Sequence, residues 1–199
     1  MTTSVFDSML AAAAREGKLG KRSKESTDWL REKAKNTDRR QLGEQRFLGD
    51  ASRSMNHVEV GRMYMFLYDP KLKATLPYYD RFPIIFPISK TKEGFMGINL
   101  HYLPPTLRAK LMDALHDIVS DSTYDRHTKL KLSYSVLTSA AKYRWFRPCI
   151  KQYLNSHVKS HFIQIFPNEW ELAAFLPTQQ FKKADARKVW TESRQMINK

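Results

Sequence analysis

The chain has a single cysteine, only seven glycines and no apolar run long enough to cross a bilayer. Each shortage removes a class of protein. Cys149 alone cannot close an intramolecular disulfide, which fits a reducing compartment or an assembly that does without covalent staples. No stretch approaches the roughly 18 apolar residues of a membrane helix, and no charged-then-apolar leader opens the chain. A soluble protein without signal peptide or membrane contact is therefore expected. Gly94 and Gly97 stand alone with no Lys-Ser/Thr behind them, so a phosphate-binding loop is missing and ATP use is disfavoured. Zinc-finger spacing, a helix-turn-helix signature and an RNP-like aromatic motif are absent as well. No cofactor and no small-molecule substrate is expected.

Acidic residues are scarce where basic ones are plentiful. The chain carries 34 Lys and Arg against 20 Asp and Glu, a net charge of +14. Residues 1–60 hold 12 basic and 9 acidic side chains (+3), residues 61–125 hold 8 and 7 (+1), and residues 126–199 hold 14 and 4 (+10). Such a C-terminal excess attracts polyanions with strong salt sensitivity. The plainer readings are a solvated face or a surface that docks on an acidic neighbour. An apolar content of 42%, with 12% aromatics, suffices for a core, and 199 residues allow one domain, with or without an appended arm.

Residues 4–16 show an amphipathic helical stripe of Val5, Phe6, Met9, Leu10 and Ala13. Thr2, Thr3 or Ser4 is available as cap, and Gly17 and Gly20 end it. A second helix starts at Ser26 or Thr27 and carries Trp29, Leu30 and Ala34. From Asn36 to Val58 only Leu42, Phe47 and Leu48 break a polar stretch. Residues 1–60 thus read as a helical and extended arm with too little apolar surface to fold alone, either mobile or laid across a partner. Residues 61–199 read as a single α+β domain.

That domain opens with three aromatic runs punctuated by proline and glycine. Met63, Met65 and Leu67 alternate with Tyr64, Phe66 and Tyr68, so the strand is covered on both faces. Phe82 to Ile88, bracketed by Pro83 and Pro87, is a second strand at an edge or bulge, and Phe95 to Leu103 a third. Together, about residues 62–103, they predict a small curled antiparallel sheet or SH3-like barrel. Helices follow: one from Pro105 with Leu107, Leu111, Ala114, Leu115 and Ile118, and one over Asp125 to Phe146. Another opens at Pro148 with Ile150, Tyr153, Leu154, Val158 and Phe162, and a last one spans Thr178 to Ile197. Phe162 to Phe166 has the look of a brief strand, and Asn168 is placed to cap Trp170 to Leu176.

The search for chemistry yields little. His157 and His161 lie four apart on the expected helix, as two metal ligands would, but a third ligand is missing and Lys159 sits between them. Cys149 lies between Arg147 and Lys151, which would acidify a thiol, but no base accompanies it. Asp69, Asp80 and Asp121 or Asp125 could supply a metal-dependent nuclease, yet Pro70 breaks the acidic-x-Lys element that Asp69-Pro70-Lys71 imitates. Asp69 and Asp80 read better as turn caps or as partners of Arg62 and Arg81. The strongest binding candidate is the series Lys129, Lys131, Lys142, Arg144, Arg147, Lys151 and Lys159, interleaved with Tyr143 and Trp145. Cations beside aromatics suit phosphates and stacked bases. In the competing reading Trp145 and Phe146 are core, and the cations only solvate the outer face.

Gly61-Arg-Met-Tyr-Met-Phe-Leu-Tyr-Asp-Pro-Lys, Leu76-Pro-Tyr-Tyr-Asp-Arg-Phe-Pro and Gly97-Ile-Asn-Leu-His-Tyr-Leu-Pro resemble proteins of large contractile-tailed bacteriophages. Lys129-Leu-Lys-Leu-Ser-Tyr, Lys142-Tyr-Arg-Trp-Phe-Arg-Pro and Lys188-Val-Trp-Thr-Glu-Ser-Arg continue the pattern, with a weaker echo at Asp28-Trp-Leu-Arg-Glu-Lys-Ala-Lys-Asn-Thr. The resemblance covers most of residues 61–197. It implies either a morphogenesis component of the tail, baseplate or head-tail region, or the protein that protects the ends of the phage genome. It brings no catalytic residue with it. The expectation is therefore a non-enzymatic protein of the virion, present in the host cytoplasm during assembly and packed against other phage structural proteins. Protection of DNA ends is the alternative, and a metal-dependent nuclease comes last.

Overall fold

The computed structural model describes residues 4–18 and 23–198. Helix α1 (Val5–Arg15) starts where the Ser4 hydroxyl accepts the N–H of Phe6 at 3.3 Å, and it ends at Gly17, whose φ of 64° suits glycine. Thr2, Thr3 and Gly20, the other expected boundary residues, lie outside the described residues. In α2 (Lys24–Lys35) the Ser23 hydroxyl accepts the N–H of Ser26 at 3.1 Å, and Ser26, Leu30 and Ala34 form the buried stripe. A short α3 (Glu44–Leu48) follows.

These first elements pack on the rest of the chain. Val5, Phe6, Ala13, Leu30, Ala34, Leu42 and Phe47 join the same apolar cluster as Phe82, Ile84 and Phe86. The rings run from Phe6 to Phe47 at 5.7 Å and on to Phe82 at 6.1 Å. Two arginines fasten the segment. Arg53 grips Glu169 with Nη1 and Nη2 at 2.5 and 2.7 Å, and Arg31 meets Glu171 and, at 2.5 Å, Asp113. Expected as mobile or laid across a partner, the segment is instead laid over its own domain. Its few apolar side chains suffice because α6 (Trp170–Phe175) and the sheet supply the other half of the contact.

Six antiparallel strands form the sheet: β1 (Ser54–Met55), β7 (Phe162–Ile165), β2 (Met63–Met65), β4 (Ile84–Thr91), β5 (Gly94–Asn99) and β6 (Ile150–Leu154), in that order across it. The outermost strands do not meet, so the sheet is open and the SH3-like barrel is not formed. A separate ribbon pairs β3 (Tyr79–Asp80) with β8 (Phe181–Lys182). The two-residue period of strands divides the side chains. Met63, Met65, Ile84, Phe86 and Ile98 face the helical layer, while Tyr64, Phe66, Ile85, Phe95, Tyr153 and Phe162 build a second cluster on the opposite face. Phe66 is its centre, with the rings of Tyr68, Phe95, Tyr153 and Phe162 at 5.0–6.1 Å.

Several boundaries differ from expectation. The helix expected from Pro148 is a 3-10 stretch (Arg144–Cys149) followed by β6. Ile150, Tyr153 and Leu154 satisfy a helical spacing, but pairing with β5 and stacking of Tyr153 on Phe95 at 5.4 Å decide for a strand. That pairing needs Gly94, where a Cβ would sit 1.9 Å from the carbonyl oxygen of Tyr153. The second strand runs from Ile84 to Thr91, with a bulge between Pro87 and Ser89 that absorbs the missing proline donor. The third ends at Asn99, where a 3-10 turn over Leu100–Tyr102 takes over. Helices α4 (Pro105–Ser120) and α5 (Arg126–Lys142) form as expected, although α5 stops before Phe146. The last helix, α7 (Ala186–Asn198), starts eight residues later than Thr178, because Phe181 and Lys182 pair with β3.

Candidate nucleic-acid interface

Helix α5 sets the geometry of the basic region. Asp125 caps it, its carboxylate accepting the N–H of Thr128 at 2.7 Å, and Ser133, Leu137 and Ala140 face the interior. Lys131 and Lys142 are eleven residues apart, about 20° around a helix of 3.6 residues per turn, and both are exposed on one face. Beyond Lys142 the chain turns into the 3-10 stretch. Tyr143 is 62% and Trp145 44% exposed, with Arg144 and Arg147 exposed beside them. The Arg144 guanidinium stands 5.0 Å from the centre of the Trp145 ring. Phe146 packs on the core, and Pro148 and Cys149 are buried, so this knuckle is pinned from beneath. Trp145 is therefore not a core residue, and the competing reading holds only for Phe146. Among the described residues no carboxylate pairs with Lys131, Lys142, Arg144 or Arg147.

The remaining three cations go elsewhere. Lys129 donates to the carbonyl of Val119 at 2.8 Å and so ties α5 to the end of α4. Lys151 turns inward from β6, its ammonium 4.1 Å from the centre of the Tyr102 ring, and burial lowers its pKa. Lys159 is exposed in the loop between β6 and β7, where its N–H donates to the carbonyl of Leu67 at 2.8 Å. The seven residues do not form one patch. Four of them do.

The other candidates part company. His157 and His161 do not share a helix: His157 ends a 3-10 turn (Asn155–His157) with its Nδ1 2.8 Å from the carbonyl of Asp69, and Nδ1 of His161, beyond that turn, lies 3.1 Å from Oδ1 of Asn56. Burial pushes the Cys149 thiol up to about 12, the opposite of activation, although Lys151 and Arg108 pull it down. Asp69 pairs with Lys73 at 2.8 Å, Asp121 closes a turn on Thr123, and Asp125 is the α5 cap. Arg62 pairs with Glu59 and Arg81 with Glu44, so neither takes an aspartate. Among the described residues no three His, Cys, Asp or Glu come together as a metal site would require.

One cluster escaped the reading of the sequence. Asp80 Oδ2 lies 2.6 Å from Nδ1 of His101, and Nε2 of that ring lies 3.2 Å from Thr178 Oγ1. Asn99 donates Nδ2 to Asp80 at 3.1 Å and to the Tyr153 hydroxyl at 3.0 Å, while the N–H groups of Phe82 and Gln180 reach Asp80 Oδ1 at 3.2 Å. Burial opposes ionisation of Asp80, but His101 and these donors hold its carboxyl below the usual range. The order carboxylate, imidazole, hydroxyl is that of a nucleophilic triad. Yet Thr178 is 4% and His101 1% exposed, which leaves the hydroxyl no open approach for a substrate. The cluster joins β3, the end of β5, the 3-10 turn and the approach to β8, and works as a clasp. Its sequence signal was the polar alternation Asn99, His101 inside an apolar strand pattern.

Against this geometry the sequence comparison is decisive about kinship. The family described as Phage T4 terminal DNA protecting protein matches residues 6–193. The chain belongs to that family. It is thus a bacteriophage protein of the end-protecting family, and the match includes both the N-terminal segment and the basic knuckle. No curated protein and no solved structure matches it. No helix among the described residues is long and apolar enough to cross a membrane.

Proposed function

We propose that the protein binds the ends of linear duplex DNA and shields them, making and breaking no bond. The observation that carries this reading is the knuckle at the end of α5. Among the described residues, Lys142, Arg144 and Arg147 stand free of carboxylates around the exposed rings of Tyr143 and Trp145, in a chain of the end-protecting family. Unpaired cations neutralise phosphates, and an exposed ring offers a stacking surface to a base at a frayed or blunt end. The protein acts on DNA in the virion or in the host cytoplasm, with no metal, cofactor or small substrate. A packing role in the tail, baseplate or head-tail region, with other phage structural proteins as partners, is the weaker reading. The segment that would have reached across neighbours buries Phe6, Leu30 and Phe47 in its own core.

The test compares a linear duplex with the same duplex closed by hairpins at both ends. Tighter binding to the open form, and slower degradation of it by a duplex exonuclease in the protein's presence, is expected. Equal affinity for the two forms, or no retention of DNA at low salt, overturns the reading.

A further inference from the structure

The sheet edge next to the knuckle carries a second feature that the knuckle does not explain. Between β6, the end of β5 and the turn over residues 70–78 lies a cleft of about 330 Å³, at the small end of the roughly 300–1,000 Å³ of ligand pockets. Tyr78, Tyr79 and Tyr102 are among the rings that line it, Leu72 stands 60% exposed at its rim, and Lys71, Gln152 and Lys151 are among its polar groups. Tyr102 is held from behind by Phe181, ring to ring at 5.1 Å, and Tyr78 inclines towards it at 6.0 Å and 34°. These rings are fixed walls.

Lys151 is the odd member. Its ammonium lies over the Tyr102 ring, mostly buried, and among the described residues no carboxylate pairs with it. Asp80 also lines the cleft, but four donors occupy its two oxygens. A desolvated cation without a counter-ion costs stability, and an anion entering the cleft would relieve that cost. The chemistry around it narrows the anion. Tyr78 and Tyr79 are half-buried, so their rings leave surface open to a planar group, and the cleft suits a ligand that joins a flat heterocycle to a phosphate. Lys151 follows Arg147 by four residues, so their Cα atoms are at most about 14 Å apart. That is the length of about four base pairs at 3.4 Å each.

Resting on the end-binding reading above, we infer that this cleft takes the terminal nucleotide of the DNA end, its base against Tyr78 and Tyr79 and its phosphate on Lys151. The knuckle then holds the backbone a few base pairs inward. On this division of labour the knuckle supplies affinity for any DNA, and the cleft supplies the preference for an end, because only a terminal nucleotide can leave the stack at low cost.

The test uses the full chain and two measurements. First, Lys151→Met, which keeps the side chain's length and removes its charge, is compared with wild type on open and hairpin-closed duplexes. The variant is expected to bind the closed form as wild type does and to lose its preference for the open form, at least tenfold. A preference that persists in a folded Lys151→Met protein overturns the cleft and leaves end protection standing. No preference in wild type removes both. Second, 5-iododeoxyuridine is placed either at the terminal nucleotide or six nucleotides inward, and its photo-crosslinks to wild-type protein are mapped by mass spectrometry. Adducts on Tyr78 or Tyr79 from the terminal position alone are expected. Adducts from the terminal position only at Tyr143 or Trp145 would overturn the inference without recourse to any variant.

Discussion

Two sets of cations share this molecule and have opposite fates. Arg31, Arg53 and Arg108 point inward. Arg53 is 5% exposed and bound to Glu169, Arg31 bridges Glu171 and Asp113, and Arg108 is buried with its guanidinium on the carbonyls of Leu103 and Ala174. Lys131, Lys142, Arg144 and Arg147 point outward and pair with no carboxylate among the described residues. The first set holds the N-terminal segment and the helices on the sheet. The second keeps its charge uncompensated by carboxylates among the described residues, and an uncompensated cation is what a polyanion needs. Net charge alone does not separate the two, whereas burial and pairing do.

Substitutions can break that comparison. The largest effect is expected at Arg53. Arg53→Ala leaves Glu169 charged and unpaired in the interior, which costs about 3–5 kcal/mol. A fall of roughly 10 °C in Tm follows, read by thermal unfolding. The same change at the knuckle is expected to leave Tm nearly unmoved.

The reverse holds for DNA. Charge reversal at Lys142, Arg144 and Arg147 together is expected to abolish binding near physiological salt. It should also flatten the slope of log affinity against log salt by about 0.9 for each phosphate that is no longer neutralised. Affinity measured over a salt series checks this, and an unchanged slope would assign these cations to solvent. Trp145→Ala is smaller, about 1–3 kcal/mol of binding if a base stacks there, with little change in salt slope. That split separates stacking from charge.

Acid sharpens the contrast further. Asp50 and Asp80 both have carboxyls held below their ordinary values. Burial raises both, and donor groups outweigh it: Ser52 and Arg53 for Asp50, and His101 with Asn99 for Asp80. A lowered folded pKa contributes stability that is complete above the unfolded value of about 3.9 and is lost as pH falls through the folded value. Denaturant unfolding at pH 5 and at pH 2–3 is therefore expected to show the loss only in the acid range. The smallest effect concerns Cys149. With its thiol buried and pushed up to about 12, the native protein is expected to resist a thiol reagent at pH 7–8 and to react only on unfolding.

How far the sequence carried can be followed element by element. Helices α1, α4 and α5 were legible because their apolar residues recur on one face, and β2 was legible from alternating aromatics. Strand β6 was not. Ile150, Tyr153 and Leu154 fit either period, and the choice lay with Phe95, more than fifty residues away. At the site, the run from Lys142 to Arg147 was found, but its exposed Trp145 was not separated from its half-buried neighbour Phe146. Lys129 and Lys151 were grouped with surface cations because burial has no mark in a single residue's identity. The Asp80, Asn99, His101 and Thr178 clasp draws on three stretches of chain and appeared only when they met.

Local periodicity and composition by themselves determined that this chain is a basic α+β protein with an aromatic sheet. Which cations are free of carboxylates among the described residues, that the described N-terminal helices lie on their own domain, and that Lys151 faces a tyrosine-lined cleft were decided only by tertiary structure. The reason is physical. Helix and strand patterns arise from neighbours a few residues apart, whereas burial, counter-ion pairing and the shape of a cleft depend on groups brought together from far along the chain.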